Sequence, residues 1–175
     1  MVAHPVCKFL TKAGEQWMFH PEDKNLPRHK RRRNPRYPNR LQDQCDAIEF
    51  FEELQNAPIP LRCLENPKPM EEVIEVVGRP TQIVQPWWFG DPYTKTTCLW
   101  LTGLPKLQPE YIVGRGEFHR TSGGKIISKW YSDAKVASKE KTSTDRSRTF
   151  PGFARALARQ YDYFVRNKKV FGELF

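Results

Sequence analysis

The sequence predicts a single domain of the α/β class, for three reasons. Short apolar runs of strand length alternate along the chain with segments whose apolar residues recur at helical spacing. A predicted helix followed directly by a buried strand favours a parallel αβ unit. The length of 175 residues suits one hydrophobic core, so we expect the domain to cover residues 1–175.

The first ten residues predict a short buried strand followed by a turn that carries a cysteine. Met1-Val2-Ala3 is apolar, and His4 is pushed away from helical conformation because it precedes Pro5. Cys7 then falls in the turn. We therefore expect its thiol near the end of a strand, where open α/β sheets place their active sites.

The first long helix is predicted over Leu41 to Gln55. Its apolar residues recur at i, i+3, i+4 and i+7, and we expect this face to meet the core: Ala47, Phe50, Phe51 and Leu54. The apolar segment 59–64 then predicts a strand that ends at Glu65-Asn66-Pro67. A carboxylate directly after an apolar run favours a position in a cleft.

The remaining elements follow from similar patterns. A short helix over Pro69 to Val77 is closed by Gly78, which suits the left-handed conformation that ends helices. Gln82 to Gln85 and Cys98 to Leu101 predict two further strands, the second buried on both faces. The apolar stripe from Pro151 to Arg166 predicts a last helix, with Thr149 as its cap.

A net charge of +9 favours a polyanionic partner, with nucleic acid first and solubility alone as the alternative. The segment 21–40 is rich in arginine, and no Asp or Glu occurs between Asn25 and Gln42. We expect a mobile basic surface loop that contacts phosphates. The alternative is a loop that is merely solvated.

Residues 105–148 are basic and rich in glycine, and they predict a small recognition insert with a hairpin at Lys125 to Trp130. The alternative is a poorly ordered loop. Just before this region, Trp87 and Trp88 are adjacent. They could stack on bases, but packing in the core or in a cleft wall explains them equally well.

The four cysteines contain no Cys-x-x-Cys pair, so zinc-finger spacing is absent and no metal site is expected. In a chain of this length a disulfide framework is not expected either. We interpret the cysteines as reduced thiols of a cytoplasmic protein. No apolar run approaches the length of a membrane span, so no membrane partner is expected.

Cys7 and Glu65 are the candidate catalytic residues. A thiolate is a strong nucleophile once its pKa is lowered. A carboxylic acid in the same cleft could share a proton with a ring nitrogen while the thiolate attacks the ring. This division of roles suits pyrimidine chemistry. The alternative is that Cys7 is a structural thiol.

The order of these motifs resembles the cytosine-C5 DNA methyltransferases, and more closely the small phage-type proteins described as cytosine methylase-like. The short motifs are Pro-x-Cys, Glu-Asn, Gly-x-Pro-x-x-Lys and a terminal Pro-Gly helix. The longer matching stretches extend over nearly the whole chain: Ala3 to Cys7, Leu64 to Pro67, Val84 to Gly90, Lys95 to Pro105 and Arg148 to Gly152.

The resemblance implies a Rossmann-like methyltransferase fold and a phage source. It implies that Cys7 attacks C6 of a flipped cytosine, and that Glu65 stabilises the ring protonated at N3. A methyl group would then pass from S-adenosylmethionine to C5. Asn66 would also orient the catalytic loop, and Lys95 would stand where the family uses an arginine.

The remaining implied contacts are with the cofactor and with DNA. The residues implied for S-adenosylmethionine are Pro5, Asn66, Phe150 and Gly152. The residues implied for DNA are Arg31, Arg32, Arg33, Arg36, Lys95 and Lys125.

The family's first strand and glycine turn, which grip the cofactor, are not among these residues. We therefore expect an N-terminally incomplete fold, completed by a second chain or by a protein start further upstream. Two other functions stay open. The chain could bind DNA without catalysis on a degenerate scaffold, or it could act on free pyrimidine nucleotides by the same thiol attack.

Overall fold

The computed structural model describes residues 1–129 and 149–172, with side chains up to residue 167. The described chain is a mixed α/β structure with a small mixed sheet and several helices, which confirms the α/β class. Its backbone contacts divide into two compact units. We call Met1–Ile83 with Thr97–Leu104 the sheet unit, and Val84–Thr96 with Pro105–Phe175 the hairpin unit.

The four-stranded sheet has the order β1-β2-β4-β3. Its strands are β1 (Val2–Ala3), β2 (Arg62–Pro67), β3 (Gln82–Val84) and β4 (Thr97–Thr102). β1 runs parallel to β2, with Ala3 opposite Leu64, and β2 runs antiparallel to β4. The parallel pair of β1 and β2 therefore brings two sequence-distant segments to the same end of the sheet.

The helices of the sheet unit are α1 (Cys7–Leu10), α2 (Lys12–Glu15), α3 (Arg40–Asn56) and α4 (Glu71–Val77). The predictions of α3 and α4 are confirmed, and Gly78 ends α4 with a φ of +79°. The expected inward position of Phe50 is wrong, because its side chain is exposed. The buried face of α3 carries Phe51.

The core of the sheet unit packs α3 and α4 against one face of the strands. Its buried residues are Leu10, Phe51, Leu64, Met70, Val73, Val77, Cys98 and Trp100. The rings of Phe51 and Trp100 meet edge to face, with centroids 5.0 Å apart. Trp100 donates its indole N–H to the Gly78 carbonyl at 2.9 Å, so this large side chain is buried without losing its hydrogen bond.

Two local predictions near the candidate site are wrong. The strand predicted over 59–64 lies at Arg62–Pro67, so Glu65, Asn66 and Pro67 belong to β2 rather than following it. Pro58 and Pro60 have no amide hydrogen for a ladder, which accounts for the later start. Cys7, expected in a turn, is the first residue of α1.

The hairpin unit contains the long helix α5 (Pro151–Gly172) and the antiparallel strands β5 (Phe118–Arg120) and β6 (Ile126–Ser128). The predicted hairpin arm is thus present up to residue 129, whereas Trp130 and the rest of the insert to residue 148 lie outside the described residues. The predicted last helix is confirmed and extends beyond Arg166.

The start of α5 is held by a residue that is distant in sequence. Asp91 Oδ2 accepts the amide hydrogens of Gly152 at 2.8 Å and Phe153 at 3.3 Å, so Asp91 fills the role expected of Thr149. Gly152 packs directly on the Phe89 carbonyl, where a Cβ atom would overlap the oxygen. Glycine is therefore required at this position by close packing.

Candidate active site

The two candidate catalytic residues lie at neighbouring parallel strands of the sheet unit. His4 directly follows β1, and Cys7 begins the next helix. Glu65 stands on β2 one residue beyond Leu64, the partner of Ala3. His4 Nδ1 and Glu65 Oε2 are 2.8 Å apart, so a hydrogen bond joins the segment that carries Cys7 to the carboxylate.

The Glu65 carboxylate is largely shielded from water, since its side chain is only 12% exposed, whereas His4 is half-exposed. A carboxylate in this position depends on its hydrogen-bond partner, because unpaired burial of a charge is costly. When His4 is protonated the contact is an ion pair. The exposed side of the imidazole allows proton exchange between this pair and solvent.

Asn66 is a second link between the same two segments. Its side chain is buried, and its Nδ2 donates to the Pro5 carbonyl at 2.8 Å. This bond spans 61 positions in sequence and ties β2 to the residues just before Cys7. Its Oδ1 is also buried and has no hydrogen-bond partner.

The four cysteines are free thiols with different access to solvent. Cys63 and Cys98 are buried, and burial raises the pKa of Cys98 to about 11, so that thiol stays protonated near neutral pH. Cys45 is exposed on α3, and Cys7 is intermediate in exposure. Cys7 is therefore the accessible thiol on the segment bonded to Glu65.

An open groove of about 260 Å³ lies beside the residues that flank Cys7. It is lined by Val6, Phe9, Asp43, Asp46, Ala47 and Phe50. The two aspartates on its rim oppose the approach of a phosphate, because like charges repel. This groove is therefore better suited to an apolar or cationic group than to a nucleic-acid backbone.

Most of the residues predicted to bind the cofactor already form contacts within the protein. Pro5 is buried, and the Asn66 amide group is bonded to it. The Gly152 amide is bonded to Asp91. The half-buried ring of Phe150 stacks on Tyr93, with centroids 5.3 Å apart. The contacts of these four residues with S-adenosylmethionine stay a prediction.

The basic segment is more ordered than its composition predicts. Its described structure includes two 3-10 helices, Pro21–Asn25 and Arg28–Lys30. The Arg32 side chain and backbone amide both bond to Asp23, with the shortest contacts at 2.8 Å. These bonds lower the pKa of the Asp23 carboxyl to about 2. Arg28 forms ion pairs with Glu15 and Glu72.

The cations predicted to contact DNA therefore fall into two groups. Arg32 is neutralised by Asp23, and Arg31 donates to the backbone carbonyls of Leu26 and Lys24. Cations that are exposed and form no ion pair with a described residue are Arg33, Arg36 and Lys125. Lys95 lies 5.7 Å from the centre of the Phe150 ring.

Two contacts made by candidate residues were not predicted from the sequence as interactions. The bond of His4 to Glu65 has no signal in the spacing of these residues. The role of Asp91 at the start of α5 likewise has no local signal, because 61 positions separate it from Gly152. Both depend on contacts between distant segments.

The described residues contain no group of three or more His, Cys, Asp or Glu side chains placed to hold a metal ion. Among the helices of the described chain, none combines the length and apolarity needed to cross a bilayer. Comparison with protein-family models, with curated proteins and with solved structures yields no match to this chain.

Proposed function

We propose that this chain is a DNA cytosine-C5 methyltransferase-like protein in which Cys7 adds to the pyrimidine and Glu65 holds the ring. The observation that carries the proposal is the joining of Glu65 to the segment bearing Cys7, through His4 and through Asn66. A thiol on the segment that follows β1 and a carboxyl on the neighbouring parallel strand β2 are the two groups that the proposed attack on a pyrimidine uses.

The proposed chemistry begins at C6 of cytosine. The Cys7 thiolate forms a carbon–sulfur bond at C6, and the electron pair of the C5–C6 double bond moves toward N3. Glu65, in its protonated form, shares its proton with N3 and so stabilises the charge that develops on the ring. The addition makes C5 nucleophilic. S-adenosylmethionine, when bound, would supply the methyl group that C5 takes. Loss of the original C5 hydrogen as a proton to solvent, return of the N3 proton to Glu65 and departure of the Cys7 thiolate would then restore the aromatic ring.

His4 positions Glu65 in this scheme. Its bond holds Oε2. In the proposed scheme the other carboxyl oxygen, Oε1, faces the pyrimidine. Because His4 is half-exposed, it can also return a proton to Glu65 from solvent between turnovers. A base in a duplex must be extruded before it can reach such a site, as for other enzymes that act on bases.

The Rossmann-like part of the proposal is supported by the pairing of β1 and β2. In open α/β sheets, ligands bind outside the carboxyl ends of parallel strands. β1 and β2 are parallel, and Glu65 lies near the carboxyl end of β2 while Cys7 follows β1. This arrangement of the candidate residues supports the proposal of a Rossmann-like fold.

S-adenosylmethionine supplies the methyl group in the reaction that the resemblance implies. Because the described cofactor candidates are largely engaged within the fold, we propose that a second chain contributes to its binding. DNA contact is proposed for the exposed cations without a described acidic partner, above all Arg33, Arg36 and Lys125.

The attack by Cys7 can be tested without a methyl donor. Once the thiolate has added to C6, C5 takes a proton from water and then carries two hydrogens, the original one and the new one. Reversal of the addition removes one of these two hydrogens from C5. DNA labelled with tritium at cytosine C5 should therefore lose tritium to solvent in the presence of the protein. We expect release by the wild type and a fall to background for Cys7→Ser.

The matched control is Cys45→Ser, which removes an exposed thiol from α3 and should leave release unchanged. Equal release by wild type and Cys7→Ser would refute the proposed attack. Retained DNA binding with no release from any substrate would favour the non-catalytic alternative. Release from tritiated dCMP but not from DNA would favour an enzyme of free nucleotides.

A further inference from the structure

Three consecutive apolar residues are exposed in a loop of the hairpin unit. Tyr111 is 73% exposed and Ile112 is 65% exposed, and Val113 is also exposed. We call Tyr111-Ile112-Val113 the apolar tip. Single exposed apolar residues are common on protein surfaces, but a contiguous exposed group marks a contact site.

The apolar tip is held in place by bonds on both sides. The Glu110 amide donates to the Trp88 carbonyl at 2.8 Å, and the Val113 amide donates to the Trp87 carbonyl at 3.0 Å. Tyr111 between them has a φ of +53°, a conformation that side chains other than glycine rarely adopt. The backbone bonds therefore maintain a strained conformation that exposes the tip.

Side chains from α5 reinforce the same loop. Arg159 forms an ion pair with Glu110 and lies over the Tyr111 ring, 5.6 Å from its centre. Gln160 Nε2 donates to Glu110 Oε1 at 2.8 Å, and Gln160 also bonds the backbone of Gln108. These contacts from α5 hold the loop in place while its apolar side chains stay exposed.

The charge around the apolar tip identifies the kind of partner. The hairpin unit has nine Lys or Arg and four Asp or Glu among residues 84–96, 105–129 and 149–167. All four acids are bonded within the unit: Asp91 to the start of α5, Glu110 to Arg159, Glu117 to Lys129 and Asp162 to Arg166. The unit therefore offers its surplus positive charge to a polyanion.

Several cations have no acidic partner among the described residues. These are Lys106, Arg115, Arg120, Lys125 and Arg155. Arg115 lies over the Trp87 ring, 5.3 Å from its centre, directly beside the loop of the apolar tip. Planar guanidinium groups on aromatic rings suit contact with bases and phosphates together.

We propose that the apolar tip is a wedge that inserts into the base stack of duplex nucleic acid, with Ile112 as its leading side chain. Apolar side chains inserted between base steps unstack them, while neighbouring cations hold the phosphates. The inference rests on the proposed function, since a cytosine must leave the base stack before a thiolate can add to its C6.

Nucleic acid fits these observations better than a membrane surface. A tip of three residues buries too little apolar area for stable membrane attachment, which usually needs a whole amphipathic helix or a lipid chain. Insertion between bases requires only one or two side chains on a firm support. The bonds from Glu110 and Val113 to the tandem tryptophans provide that support.

The test compares Ile112→Ser with Ile126→Ser, which makes the same change at another exposed position of the hairpin unit. Ile126 is 59% exposed on β6, so both variants should fold. We expect Ile112→Ser to reduce tritium release from duplex DNA at least tenfold. Release from the same DNA after denaturation should stay within twofold, because an unpaired base needs no wedge.

A second readout does not depend on the chemistry at Cys7. Duplex DNA containing 2-aminopurine becomes more fluorescent when its bases unstack. We expect an increase with the wild type and with Ile126→Ser, and little change with Ile112→Ser. If the fluorescence changes in this way but no variant and no wild type releases tritium, the wedge would be supported and the proposed methyltransferase-like chemistry would be refuted.

Three outcomes would overturn the wedge. One is equal behaviour of Ile112→Ser and Ile126→Ser on duplex DNA in both assays. Another is an equal loss of release from duplex and denatured DNA, which would indicate a general structural defect. The third is loss of sedimentation with phosphatidylserine vesicles in Ile112→Ser without any change on duplex DNA, which would identify the tip as a membrane contact.

Discussion

The bond from Asn66 to Pro5 can be tested by changing one atom of the side chain. Asn66→Asp keeps the shape of the residue and replaces the donating Nδ2 with an oxygen. In the wild type, Nδ2 lies 2.8 Å from the Pro5 carbonyl oxygen. When the new carboxyl of the variant is protonated, it can still donate a hydrogen bond to that oxygen. When it is ionised, two acceptors face each other inside the protein.

The size of the effect follows from burial. Asn66 is only 2% exposed, and complete burial raises the pKa of a carboxyl group by about 3–5 units. An unfolded aspartate has a pKa of about 3.9 and each unit corresponds to about 1.4 kcal/mol. If the folded pKa reaches about 7, the variant loses about 4 kcal/mol of unfolding free energy at pH 7.

The sign of the pH dependence is the important part of this prediction. Since the folded pKa is raised, the variant should be nearly as stable as the wild type near pH 4. Its stability should fall as the pH rises toward 7. Urea unfolding at both values, followed by tryptophan fluorescence, measures the difference. Trp100 in the core of the same unit contributes to that signal.

The control is Asn39→Asp, at the exposed N-cap of α3, where the asparagine side chain makes no capping bond. A negative charge there is favoured by the helix dipole, so we expect a change within about 0.5 kcal/mol. If Asn66→Asp lost the same free energy at pH 4 and pH 7, the reasoning about the buried bond would be refuted.

Two further predictions concern the remainder of the fold. Gly152→Ala should lower the melting temperature by an amount that corresponds to about 2 kcal/mol or more, because its Cβ would overlap the Phe89 carbonyl. Gly123→Ala, with open space around it, should change little, and equal shifts would contradict the packing argument. Asp23→Asn should lower the melting temperature above pH 4. That difference should shrink as the pH falls from 3.8 toward 2, where the Asp23 carboxyl becomes protonated and releases Arg32. A difference independent of pH would contradict the ion pair.

The elements that could be predicted from the sequence are those with a complete local pattern. The helical spacing of Phe51 and Leu54 predicts α3, and Gly78 marks the end of α4. Cys98 to Leu101 lies within β4, and its continuous apolar character matches a mostly buried strand. These features depend on residues a few positions apart, so local rules suffice.

The predictions that are wrong involve competition between segments. Phe50 satisfies the helical spacing, yet it is exposed because α3 turns Phe51 toward the sheet. β2 pairs with β4 over Arg62 to Pro67, so it extends past the end of the apolar run 59–64, and that run does not reveal the pairing. Which apolar residues are buried depends on what packs against each face.

In the candidate site, too, some features follow from the local sequence and others from contacts between distant segments. Cys7 and Glu65 can be singled out by residue type and position, but their connection through His4 and Asn66 joins segments about 61 positions apart. Sequence spacing says nothing of such contacts, because the pairing of β1 with β2 creates them.

By itself, the sequence determined the α/β class, the principal helices and a basic surface, because these follow from short-range periodicity and from charge. Only the tertiary structure decided which charges remain available. Arg32 forms an ion pair with Asp23, and Asp91 accepts amide hydrogens at the start of α5, whereas Arg33 is exposed and forms no ion pair with a described residue. Composition counts these groups equally. Folding distinguishes these charged groups, because a charge that is already paired within the protein contributes less to the binding of a partner.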